Sequence, residues 1–217
     1  SKLQKFLSKK NKNKLLNDTL KSSQKAENLS ALIIGDAIVD QYDSVTPLNK
    51  PPKESILATR YNKSDIFLGG VFAAATNLSQ FNNNIEVCTV VGKDQDIKKK
   101  VNNFAKKIKS KIFIEKDKVT VRKKRLVEAG YNKKLSEVYY IDDDFLSLSN
   151  SKKINKYLNI NLHRFDVVII IDYGHGFINQ EIYKTLLKKS KFLAINCQTN
   201  SANLGFNLIT KYKKCDY

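Results

Sequence analysis

Glycine and proline are scarce, 8 and 3 of 217 residues, too few for collagen-like or Gly/Pro-rich low-complexity chains. Tryptophan and methionine are absent, and a chain without methionine even at position 1 reads as a segment of a longer reading frame. Its three cysteines, Cys88, Cys197 and Cys215, lie far apart with no CxxC spacing. That spacing indicates neither a zinc site nor a disulfide framework and suits a reducing cytoplasm. No apolar run approaches the roughly 20 residues of a bilayer-spanning helix, and the lysine-rich start lacks a signal peptide's apolar stretch and cleavage site. A soluble, unexported, cytoplasmic protein with no membrane partner is expected. Arginine is scarce too: Arg60, Arg122, Arg125 and Arg164 are four of 39 basic residues. A net charge of +18 made almost wholly of dispersed lysine lacks the bidentate guanidinium that reads phosphates and bases. With abundant asparagine it reads as a solvated surface of an AT-rich genome, and no specific nucleic acid is expected.

What the chain does hold is 41% hydrophobic and 28% charged residues, enough for one folded domain plus an appendage. Residues 1–29 carry lysine, asparagine and scattered leucines, a spacing for one or two short surface helices, and read as a linker or docking arm. Ala31 to Ile34 is a short apolar run ending at Gly35-Asp36, the mark of a buried strand. Residues 45–61 hold all three prolines, Pro47, Pro51 and Pro52, and lead from an irregular stretch into an exposed strand, a flap outside the main sheet. The Gly69-Gly70 pair opens an alanine-rich helix over 71–79. Strands are predicted over 85–91, 111–115, 119–127, 139–141, 167–171 and 192–195, and helices over 97–107, around 154–158 and over 180–188. This alternation predicts an α/β fold, a mostly parallel sheet flanked by helices.

Ligands of open parallel sheets bind at the carboxyl ends of strands. Three polar segments follow apolar runs: Gly35-Asp36 with Asp40, Asp172-Tyr-Gly-His-Gly176, and Asn196-Cys-Gln-Thr-Asn200. Ionised Asp36, Asp40 and Asp172 suit sugar hydroxyls because they only accept hydrogen bonds, although Asp and Gly after a strand commonly just make a turn. Gly69 and Gly70 either turn the chain or let a ligand approach the backbone. The sequence has no GxGxxG dinucleotide fingerprint and no GxxxxGK[ST] P-loop. His175 is a loop residue near a ligand or an acid/base group, with no Ser-His-Asp order to support catalysis. His163 is expected on the surface. In the cluster from Arg122 to Arg125, alternation places Arg122 with Lys124 on one face and Lys123 with Arg125 on the other; one pair could hold a phosphate, or both solvate an edge strand.

Together, Ile34-Gly-Asp-Ala-Ile-Val-Asp40, the flap, Gly69-Gly70 opening a helix and Asp172-Tyr-Gly-His-Gly176 resemble the N-terminal half of ribokinase-like (PfkB) carbohydrate kinases. The chain looks most like the heptose-phosphate kinase branch, and like bacterial fusions in which a nucleotidyltransferase-like domain precedes such a kinase. Residues 52–61, 172–177 and 198–212 carry that closer likeness, which spans about 29–217.

The resemblance implies ATP-dependent phosphorylation of a sugar or sugar phosphate, with Mg2+. It implies a sugar site of Asp36, Asp40, Gly69 and Gly70, with Asp172 and His175 beside it and Arg122 and Arg125 on a substrate phosphate. Residues 45–61 and 119–140 would form a small β lid, through which a homodimer is an option. Residues 1–29 would be the tail of the preceding domain, and 30–217 the substrate-binding part of the kinase. Two departures stand out. Ala73 occupies a position where many relatives have Asn. The GxGD motif with its catalytic Asp base, and most of the ATP site, would lie beyond Tyr217, leaving the C-terminal part of the fold missing, no catalytic residue in this chain and a piece inactive alone. A noncatalytic α/β sugar-binding or scaffold module is the alternative; a basic nucleic-acid-binding protein is least favoured.

Overall fold

The computed structural model describes residues 9–48, 55–142, 146–199 and 205–217. Its core is a five-stranded sheet in the order β5-β4-β1-β8-β9: β1 Ala31–Gly35, β4 Ile85–Gly92, β5 Lys109–Glu115, β8 Val167–Asp172 and β9 Leu193–Cys197. All its pairings are parallel, as expected from aliphatic runs such as Val167 to Ile171, which parallel strands covered on both faces require. Strand alternation splits those runs between two layers. Leu32, Ile34, Cys88, Val90, Val168 and Ile170 pack against α4 (Leu148–Asn161) and α5 (Gln180–Lys189) through Ile154, Leu158, Ile182 and Leu186. Ile33, Val87 and Ile171 face the opposite way, against α2 (Val71–Leu78) and α3 (Gln95–Lys107) through Phe72, Ala75, Ile97 and Val101.

Local chemistry sets the helix ends. Ser147 and Asn179 cap α4 and α5 by accepting the N–H groups of Asn150 and Ile182, satisfying donors that a helix start leaves free. In α3, Asp96 in the first turn and Lys106 and Lys107 in the last oppose the helix dipole. Ahead of the core runs α1, Lys9–Glu27, one long helix where one or two short ones were expected. Asn82 donates to the carbonyls of Ala26 and Leu29 and so ties its end to the core.

A second, mixed sheet in the order β3-β2-β6-β7 stands at the carboxyl end of β1. Its strands are β2 Ala37–Pro47, β3 Thr59–Gly70, β6 Arg122–Glu128 and β7 Lys134–Tyr140. This sheet stands where the small β lid was expected and is larger than expected. Residues 37–47 and 59–70 form one long antiparallel pair, so the chain that had been read as an irregular stretch is regular up to Pro47, and Asp40 lies within a strand instead of in a turn. Gly69 and Gly70 likewise end a strand and do not form a tight turn. Pro51 and Pro52, and with them the middle of the 45–61 lid segment, lie outside the described residues. Strand β6 begins three residues later than read because Thr120 is held by the core: its N–H and hydroxyl donate to Asp94, and its hydroxyl accepts from Gly92.

Candidate functional site

The carboxyl ends of β1 and β8 and the face of the second sheet that carries Asp40 bring together most of the expected residues. Asp36, directly after β1, is buried and faces inward. Its Oδ2 accepts the N–H groups of Tyr173 at 2.7 Å and His175 at 3.3 Å, and its Oδ1 that of Phe177 at 3.2 Å. Burial, then the charge of Asp172, push this carboxyl up to about 6 against those three N–H groups. Both oxygens of Asp36 accept main-chain N–H groups, so this carboxylate organises the 173–177 loop.

Asp172 is engaged in the same way. One oxygen accepts from Gly174 N–H at 2.7 Å and the other from the Tyr212 hydroxyl at 2.5 Å and from Lys211. Asn207 bridges the carbonyls of Asp172 and Gln198, while Cys197 and Thr199 approach the Asn207 carbonyl. The segment at 196–200 therefore knits to the chain beyond 205; Asn200 lies outside the described residues, as do 52–54 and 200–204 of the stretches singled out above.

Asp40 instead projects from β2 onto the lid face. Its Oδ1 accepts from Arg125 Nη1 at 2.6 Å, and Arg125 Nε donates to Glu137 on β7 at 2.8 Å. A parallel β2–β6 register pairs Asp40 with Lys123 and Tyr42 with Arg125, which brings the guanidinium 5.2 Å from the Tyr42 ring. The Arg125 side chain is only 12% exposed. Gly69 makes room for this carboxylate: a Cβ there would collide with Asp40 Oδ2. Gly70 serves the chain itself. With φ 59° it precedes α2, and a Cβ would strike the Asp36 carbonyl oxygen, a conformation that strongly favours glycine.

Arg122 does not join Arg125. Three residues apart on a strand, they point to opposite faces. Arg122 reaches Asp96 at 2.7 Å, Asp94 at 3.5 Å and Gln41 at 3.0 Å, fastening β6 to the start of α3, and Lys124 beside it pairs with Asp43 at 2.9 Å. The expectation that both arginines grip one phosphate is corrected accordingly: Lys123 and Arg125 share the face of Asp40 and Tyr173, while Arg122 and Lys124 line a hollow on the opposite face.

Sequence reasoning passed over Glu137 and Tyr139, and it named Lys123 only as the possible companion of Arg125 at a phosphate and Tyr173 only within the 172–176 segment. Lys123 is 8% exposed, and its ammonium lies 5.8 Å from the Tyr139 ring and 5.7 Å from the Tyr173 ring. Burial holds it below the usual lysine range. The only available signal was its period-two register with Arg125. His175 is buried on the loop that Asp36 holds, and His163 is exposed. Among the described residues no group of three His, Cys, Asp or Glu side chains could hold a metal ion. Among them, too, no helix is long and apolar enough to cross a membrane.

Solved structures superpose on about three-quarters of this chain. The carbohydrate kinase from Agrobacterium tumefaciens superposes with a TM-score of 0.55 at 17% identity, covering 77% of this chain and 53% of that one. Ribokinase from Giardia lamblia does so with a TM-score of 0.50 at 13% identity, covering 77% and 49%. The fold is that of the ribokinase-like (PfkB) carbohydrate kinases. In sequence the chain is 27% identical over 189 residues to the bifunctional protein HldE of Campylobacter jejuni subsp. doylei, covering 84% of this chain and 39% of that protein. It is 24% identical over 159 residues to HldE of Aliarcobacter butzleri, covering 72% and 33%. The chain is thus distantly homologous to HldE and spans between a third and two-fifths of the length of these relatives. No protein-family model matches it.

Proposed function

We propose that this chain is the sugar-recognising portion of an ATP-dependent carbohydrate kinase whose acceptor is a sugar phosphate, a heptose phosphate being the member of that class suggested by the resemblance to heptose-phosphate kinases. Residues 1–29 would link it to a preceding domain, and ATP and Mg2+ would be supplied by parts of the kinase outside this chain. The Asp40–Arg125 pair supports this reading. Hydroxyls that claim Asp40 withdraw a partner from a largely buried guanidinium, and leaving such a charge short of partners is costly. A neutral sugar returns only the uncharged acceptor oxygen of a hydroxyl. A phosphate on the same ligand can take Arg125 bidentately, so the pair exchanges for two ligand contacts of matching charge.

Calorimetry with glucose, mannose and their 6-phosphates tests this. The phosphates should bind at least tenfold more tightly than the free sugars, and Arg125→Gln should abolish that difference while leaving the free sugars' weak affinity in place. Equal affinity for both forms in the unaltered chain would refute the sugar-phosphate reading.

A further inference from the structure

His175 lies on the 173–177 loop between two glycines with φ of 74° and 88°, its N–H on Asp36. The residue is 3% exposed, yet its ring Nε2 has no hydrogen-bond partner among the described residues. Buried polar atoms are nearly always paired, and an orphan calls for an explanation. Burial first, then the Lys123 charge, against the opposing pull of Asp172, bring the imidazole down to about 4. At neutral pH the ring therefore carries one proton and has one bare, accepting nitrogen.

Lys123 is the complementary case. Its neighbours Arg122, Lys124 and Arg125 each hold a carboxylate, whereas Lys123 has no ion-pair partner among the described residues and rests between the rings of Tyr139 and Tyr173. An ammonium only donates and a bare imidazole nitrogen only accepts. A hydroxyl satisfies both at once, its oxygen accepting from Lys123 and its proton going to Nε2. A phosphate or carboxylate oxygen satisfies the lysine alone, and a methylene satisfies neither.

Building on the sugar-phosphate reading, we propose that Lys123 and His175 Nε2 together hold one hydroxyl of the ligand and make that hydroxyl a determinant of specificity. The Asp36 hydrogen bonds keep the loop, and with it the acceptor, in place before the ligand arrives. Sites that read a hydroxyl in this manner reject the analogue lacking it far more strongly than apolar pockets reject a missing methylene.

The chain has two histidines, so nitrogen NMR of the labelled protein resolves both, with exposed His163 as the internal control. Glucose 6-phosphate, mannose 6-phosphate and sedoheptulose 7-phosphate are the probes, with inorganic phosphate as the bare anion. The His175 Nε2 resonance should be that of an unprotonated nitrogen in the free chain, move upfield with a sugar phosphate that binds, and stay in place with inorganic phosphate. Among monodeoxy analogues of that sugar phosphate, one should bind about ten- to a hundredfold more weakly. His175→Phe should erase this discrimination and His175→Gln, which still presents an acceptor, should retain part of it. Binding without a change at Nε2, an equal response to inorganic phosphate, or undiminished discrimination by a folded His175→Phe chain would overturn the hydroxyl site alone. Failure of every sugar phosphate to bind would sink the sugar-phosphate reading and this one with it. Should His175→Phe not fold, the Nε2 resonance of the unaltered chain decides.

Discussion

Asp40 and Arg125 come from strands 85 positions apart in the chain and meet at 2.6 Å on the inner face of the lid. The carboxylate expected to receive sugar hydroxyls is therefore already held by the cation expected to receive a phosphate. On the proposed reading, a ligand that claims Oδ1 of Asp40 has to displace Arg125, which would make the pair sensitive to whether that ligand carries charge.

The two lid arginines should respond differently to removal. Arg122→Gln unfastens β6 from Asp94 and Asp96 on the outer face, so it should speed amide hydrogen exchange in β6 and β7 roughly tenfold and weaken phosphorylated and free sugars alike. Arg125→Gln should leave exchange nearly unchanged and act on phosphorylated ligands only. Matching exchange patterns in the two variants would show that the faces are not functionally separate.

Substitutions at the paired glycines should likewise divide. In Gly69→Ala the added methyl meets a movable side-chain carboxylate, so Asp40 shifts and affinity for sugar phosphate should drop several-fold with little loss of thermal stability. Gly70→Ala meets main chain at a positive φ and should cost about 1–3 kcal/mol of stability. A Gly70→Ala chain melting with the unaltered protein would contradict the geometry.

Asp36 gives a prediction of sign. Its folded-state pKa of about 6 stands above the ordinary 3.8, so the folded state binds the proton more tightly, and the stabilisation is full below about pH 4 and lost as pH rises through 6. Measured against Asp36→Asn, which does not titrate, the unaltered chain should lose about 2 kcal/mol between pH 4 and pH 7. Chemical denaturation at the two pH values checks this; a difference that grows with pH would mean that the three N–H groups outweigh burial.

Charge supplies a last test. Dispersed lysines should give weak binding to random duplex DNA that disappears near physiological salt, with no sequence preference. Tight binding that survives such salt would reopen nucleic acid as a partner.

The parallel core was legible in sequence because a strand covered on both faces must be aliphatic throughout, and Ala31 to Ile34 and Val167 to Ile171 satisfy that condition. The lid was less so. Strand β3 faces solvent along much of its length, β2 is buried or half-buried throughout, and both mix polar with apolar residues beside the prolines, so only the ends of the pair carried a signal. Period two already separated Arg122 from Arg125, but it did not say which face carries Asp40.

The sequence by itself determined the α/β class, the order of its core strands along the chain and the polar residues stationed at their ends, since hydrophobic periodicity and turn chemistry are local properties. Only the tertiary structure decided what each polar residue does. Asp36 and Asp40 are four positions apart and alike in sequence; one is consumed by main-chain N–H groups from a loop more than 130 residues away, and the other stands on the lid against Arg125. A carboxylate's role depends on which donors reach it first, and long-range packing places those donors.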